Sequence, residues 1–119
     1  MRREPTEAEL KEASRVFKAL SHPDRLRLTC LLADREGVTQ HELVEELGWP
    51  QSTVARHVGT LRDRGLVVGE RNGAEVVLEA TAMPRYLLDT VCEWMHPEEA
   101  SGNGAGNGSG GAVFGGEEL

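Results

Sequence analysis

Cysteine is scarce in this chain: Cys30 and Cys92 are the only two in 119 residues. Two thiols cannot build the disulfide framework of a small secreted domain, and their scarcity fits a reducing compartment. Long apolar runs are missing as well. None approaches the roughly 20 residues a bilayer-spanning helix needs, and Met-Arg-Arg-Glu-Pro leads into polar sequence, not into the apolar stretch of a signal peptide. A cytoplasmic protein without a membrane partner is expected. The chain has no glycine-rich phosphate loop, no nucleophile set beside its base and no carboxylate pair suited to a cleft, which argues against an enzyme. Basic residues are absent beyond Pro97, where Glu98, Glu99, Glu117 and Glu118 lie; they supply four of the seven net negative charges and leave −3 for the rest.

With 39% hydrophobic residues, the chain can hold one small domain with a marginal core, which dimerisation would enlarge. That domain is expected over residues 1–97, followed by a tail over 98–119. Thr6 and Glu9 form a capping box that opens a helix to about Leu20, with Leu10, Ala13, Val16, Phe17 and Leu20 on its apolar face. Ser21 to Asp24 is a break. Pro23 starts a second helix whose Leu26, Leu28, Cys30, Leu31 and Leu32 are apolar nearly all round, as in a central core helix, so that Cys30 is expected to be a packed thiol. Gly37 ends it.

From Val38 to Leu66 the pattern is two short helices about a tight turn. Thr39 and Glu42 form a second capping box, Leu43 and Leu47 keep helical spacing, and Gly48 stops the first helix. Pro50 suits the first turn of the next, spanning 50–64, before Gly65. Val54, Val58 and Leu61 make one apolar stripe on it. The opposite face carries Ser52, Arg56, Gly59, Thr60 and Asp63, with Gln51 and Thr53 near its start. Hydroxyls, an amide and an arginine suit base edges and phosphates. Such a pair is a helix-turn-helix with a recognition helix.

After Gly65 the period changes to that of strands. The runs 66–71 and 74–79 flank Asn72-Gly73, a strong hairpin signal, and place Arg71 and Asn72 at the tip of a wing beside the helix-turn-helix. Arg56, Arg62, Arg64 and Arg71 gather in this region, so a local basic surface can track phosphate on an acidic chain, with modest and salt-dependent affinity. A last helix from about Thr81 to His96 carries Met83, Leu87, Leu88, Val91, Cys92, Trp94 and Met95, more apolar surface than one small domain can cover. Paired with the first helix it forms the expected two-fold interface: Val16, Phe17 and Leu20 with Leu87, Leu88, Val91, Trp94 and Met95. Residues 101–116 are glycine-rich and expected to be disordered.

The segments ALSHPDRLRL, QSTVARHV, LRDRGLV and the Asn-Gly wing, in this order between Val16 and His96, resemble the ArsR/SmtB family of winged-helix transcriptional regulators. The resemblance implies a mainly α fold of about five helices plus a two-stranded wing, a homodimer joined through its first and last helices, and double-stranded operator DNA as partner. In that reading Gln51, Ser52, Thr53, Arg56 and Thr60 meet the major groove, with Arg71 and Asn72 on its flank, while His57 lies on the flank of the helix between core and groove, where it serves either as a DNA contact or as structural support. Many members of the family sense metal ions. The positions of their Cys-x-Cys ligands are Thr39, Gln40 and His41 here, and those of the Asp-x-His and His-x-x-His ligands are Ala80, Ala82, Glu93 and His96. Half of that second set is missing. Cys92 and His96 do share a helix face with Glu93 nearby, which leaves Cys92, Glu93 and His96 as candidate ligands for nickel or zinc. Control by a second regulatory protein stays open beside direct sensing. The alternative class is a winged-helix protein-interaction module that has lost DNA readout and metal sensing.

Overall fold

The computed structural model describes residues 3–99. The glycine-rich tail expected to be disordered lies outside them. The chain divides into two compact units, residues up to Pro84 and those from Arg85 onward.

In the first unit, helix α1 spans Glu7–Leu20 and opens on a complete capping box. The Glu9 N–H donates to Thr6 Oγ1 at 3.1 Å, and the Thr6 N–H donates to Glu9 Oε1 at 2.9 Å. Helix α2, Pro23–Ala33, starts on its proline, and His22 Nδ1 caps it by accepting the Asp24 N–H. Only Leu28, Thr29 and Leu32 are buried along α2, whereas Leu26 and Cys30 are exposed. The expected core helix and packed Cys30 are therefore corrected. Leu26 and Cys30 are one turn apart on the stripe opposite Leu28 and Leu32, and a small domain covers one side of a helix only.

Strand β1, Val38–Thr39, was not expected. It pairs antiparallel with β3, Val38 opposite Leu78 and Thr39 opposite Val77. The sheet is thus three-stranded, ordered β1-β3-β2, with β2 at Val67–Asn72 and β3 at Glu75–Ala80. Between β1 and β2 come α3, Gln40–Leu47, and α4, Gln51–Asp63. Asn72 pairs with Glu75, so the two-residue turn is Gly73-Ala74, one step later than the Asn-Gly signal indicated. Gly73 has φ +70° and, among the described residues, no non-glycine residue has positive φ, the pattern of a II′ turn, which needs that freedom at its first central position alone.

Leu28 and Leu32 of α2, Leu43 of α3, Val54, Val58 and Leu61 of α4, and Leu66, Val67 and Leu78 of the sheet region form the core. At about 1.5–3 kcal/mol for each fully buried aliphatic side chain, these few residues fix α2 against β3 and α4 against both α3 and β2. Helix α5, Ala82–Met95, crosses the unit boundary and is followed by a 3-10 turn at Pro97–Glu99. Among the described residues no helix is long and apolar enough to cross a membrane.

Candidate nucleic-acid interface

The turn between α3 and α4 is built from local chemistry. Thr39, last residue of β1, also caps α3: the Glu42 N–H donates to its hydroxyl at 3.1 Å and its own N–H donates to Glu42 Oε1 at 2.9 Å. Gly48 ends α3 in the left-handed region at φ +71°, a conformation that side chains with a Cβ seldom adopt. Pro50 precedes α4, and its carbonyl accepts the Thr53 and Val54 N–H groups at 3.0 and 3.1 Å. No side chain caps this end, so the first N–H groups of α4 point outward beside Gln51 and Ser52. Such an end favours an anion.

Val54, Val58 and Leu61 seat α4 in the core, leaving Gln51, Ser52, Ala55, Arg56 and Gly59 exposed and Thr53 and Thr60 half-buried. The Thr60 hydroxyl donates to the Arg56 carbonyl at 3.2 Å and so acts within the helix as well as at its surface. Arg71 and Asn72 are exposed at the end of β2. Neither Arg56 nor Arg71 has an acidic partner among the described residues, which leaves both guanidinium groups for an incoming anion. Arg62 is occupied differently: its guanidinium lies across Gly69 of β2, where a Cβ would come within 3.0 Å of it, so the glycine makes room for α4 against the wing.

Of the two roles open to His57, groove contact and structural support, the structure favours support. The residue is only 3% exposed, so its ring cannot meet a groove. It packs against His22 with ring centroids 5.0 Å apart and takes the edge of Trp49 at 6.1 Å, while the Arg25 guanidinium stands 3.5 Å from its Nδ1. Burial, then the neighbouring His22, Arg25 and Arg56, hold its pKa below the ordinary histidine value. His22, Asp24 and His57 have ligand atoms within 4.8 Å of one another. The donor chemistry does not suit a metal ion there: His22 Nδ1 is already engaged by the Asp24 N–H, and the Arg25 cation faces the lone pair of His57.

Of the family's metal positions, those held by Thr39, Ala80 and Ala82 offer an ion no ligand. Thr39 is spent on capping, Ala80 is buried in β3 and Ala82 begins α5. In the second unit, Cys92, Glu93 and His96 are all exposed, and His96 continues the helical turn by donating its N–H to the Cys92 carbonyl at 2.9 Å. The close group of possible ligands there is His96 with Glu98 and Glu99, not His96 with Cys92 and Glu93. Of the residues assigned to an interface, Leu20 is buried and has little surface to offer, Val16, Leu87, Leu88, Val91 and Trp94 are half-buried, and Phe17 and Met95 are exposed. The hydrophobic pattern did not single out Tyr86, which is 76% exposed.

Comparison with known proteins supports this architecture. A family described as a helix-turn-helix domain matches residues 20–70. The biofilm growth-associated repressor of Xylella fastidiosa is 36% identical over 81 residues, covering 68% of this chain and 70% of that protein. The chain belongs to the ArsR/SmtB family. A second ArsR/SmtB relative, the repressor SmtB of Mycobacterium tuberculosis, is 36% identical over 84 residues, 69% of this chain and 62% of its own length. The solved structure of the transcriptional repressor BigR from Xylella fastidiosa superposes with a TM-score of 0.65 at 30% identity, over 81% of this chain and 97% of that one. The homodimeric winged helix-turn-helix DNA-binding domain of a possible ArsR-family regulator from Mycobacterium bovis shares the fold, with a TM-score of 0.66 at 22% identity over 85% and 94% of the two chains. The fold is a winged helix-turn-helix, and the chain is a DNA-binding transcriptional regulator.

Proposed function

We propose that this regulator binds its operator as a homodimer, with the exposed face of α4 in the major groove and the β2-β3 wing on the groove's flank. The observation that carries this reading is the pairing, within one unit, of an α4 face ending in the unopposed Arg56 with a wing tip carrying the unopposed Arg71. Gln51, Ser52, Thr53 and Arg56 supply base and phosphate contacts, Thr60 borders them, and Arg71 and Asn72 address the backbone beside them. In a two-fold dimer the two α4 helices address half-sites about one helical turn, roughly 34 Å, apart.

Selection of bound duplexes from a random pool, followed by titration of the Arg56→Ala variant, tests this. Arg56→Ala should weaken binding to the selected duplex by about 5- to 150-fold, the cost of about 1–3 kcal/mol for one good arginine contact. An unchanged affinity, or a pool that yields no enriched sequence, defeats the reading and favours a winged helix that serves as a protein-interaction module.

The input is a separate matter. Direct response to nickel or zinc rests on the end of α5, where His96 stands among exposed carboxylates with Cys92 and Glu93 one turn back. Three donors from one chain leave a tetrahedral site open, so a partner subunit or solvent must complete it. Calorimetric titration of chelator-treated protein with each ion should show micromolar or tighter binding that His96→Ala removes. Binding that is absent, or indifferent to the substitution, places the input in another ligand or a second regulatory protein.

A further inference from the structure

We propose that a cavity of about 220 Å3 between α1, the first turn of α2 and the end of α4 is a phosphate-binding pocket, with Arg15, Lys18, Arg25 and Arg64 as its cationic wall. Ala19 and Thr60 complete the lining, and no acidic residue takes part. In a chain with 20 acidic and 13 basic residues, four cations lining one concavity with no acidic residue among the lining is the reverse of what overall composition would distribute. Bringing them together costs repulsion that a tetrahedral oxyanion removes.

Arg25 is the pre-positioned member. Its Nε–H donates to the Ala19 carbonyl at 2.8 Å and one terminal nitrogen lies 3.5 Å from His57 Nδ1, so the guanidinium is held in place, with its other terminal nitrogen uncommitted among the described residues. Arg15 makes one exposed ion pair at 3.2 Å with Glu12, a weak tie of the kind that costs little to exchange. Lys18 and Arg64 have no acidic partner among the described residues. The plainer account is that Lys18 and Arg64 offset the negative ends of α1 and α4, where each stands. It covers two of the four. Arg15 is in the body of α1, and Arg25 is in the first turn of α2, where a helix dipole disfavours a cation.

Phosphate is the ligand class that matches a fork of guanidinium groups beside an ammonium. Two sources share that chemistry: a backbone phosphodiester of a duplex seated on α4, which the pocket meets at Thr60, and a free phosphate. The first source rests on the proposed function; the second does not.

Both are tested on the full-length chain. Inorganic phosphate, titrated at fixed ionic strength into labelled protein, should shift the Nε–Hε resonances of Arg25 and Arg64 saturably while leaving those of Arg62 and Arg71 in place, and Arg64→Gln should abolish the response. In parallel, the slope of log affinity against log salt for a selected duplex should fall in Arg64→Gln by about 0.9 for each phosphate that the variant no longer neutralises. A saturable phosphate response with an unchanged slope identifies a free anion as the occupant. A reduced slope without a phosphate response identifies the DNA backbone, and both together mean that the pocket takes either. Neither effect, in a variant with unaltered circular dichroism, overturns the pocket. Lys18→Gln, at an exposed position, serves if Arg64→Gln does not fold. Should the wild type bind no duplex, the DNA reading fails alone and the phosphate titration decides the pocket.

Discussion

A buried imidazole at the centre of α4 makes the helix sensitive to protons. In the fold, burial and then three neighbouring cationic or titrating groups penalise the charged form of His57 and hold its pKa below the ordinary value. In the unfolded chain it titrates near the ordinary value of 6.5. Above that value both states are neutral and pH is without effect through this residue. As pH falls through it, the unfolded chain takes up a proton that the folded chain refuses, so stability drops until the lowered folded-state pKa is passed. Denaturation midpoints measured from about pH 7.5 to pH 5 should therefore decline in the wild type, and His57→Leu should flatten that decline. Equal declines in both proteins would show that other groups govern it. The burial of His57 was legible in the sequence, since it lies three residues after Val54 and four before Leu61, on the apolar stripe. Its flanking place left groove contact and structural support both open; the fold decides for support.

At the scale of elements, what sequence reports depends on how local the cause is. Both capping boxes, the glycine stop at Gly48 and the proline start of α2 follow from interactions within four residues, and all stand as expected. Strand β1 has two residues, too few for alternation to show, and exists only because β3 offers a partner edge. The turn register is a similar case. Asn72-Gly73 is a good hairpin pair by itself, yet the ladder continues to Asn72 opposite Glu75 and leaves Gly73-Ala74 to turn. Leu26 and Cys30 on α2 are apolar by type but exposed, because burial is decided by what packs against the helix and not by its own composition. Of the candidate site, the exposed α4 face and the wing tip were legible as a pattern along single elements. The cationic pocket was not: Arg15, Lys18, Arg25 and Arg64 come from three helices and converge only in the fold.

At the scale of the whole molecule, the described residues leave large apolar side chains exposed. On α1, Leu10 is 54% and Phe17 59% exposed, and on α5 Met83, Tyr86 and Met95 are exposed too. A marginal core with large apolar side chains in solvent is the condition under which a second copy adds most. In a two-fold interface each residue is counted twice, so replacing Phe17 by Glu removes two buried aromatic side chains, at about 1.5–3 kcal/mol each. Sedimentation equilibrium should show Phe17→Glu weakening self-association by at least about 100-fold relative to the wild type. A wild type that stays monomeric at high concentration, or a variant that associates equally well, would remove α1 from the interface. The consequence reaches DNA. On the proposed reading, one α4 and one wing tip on an acidic chain would make few phosphate contacts, and joining two such units would turn the second half-site encounter into an intramolecular one. If Phe17 lies in that joint, Phe17→Glu should also bind the paired half-sites more weakly while keeping the wild-type affinity for an isolated half-site, a separation that a fold-damaging substitution could not produce.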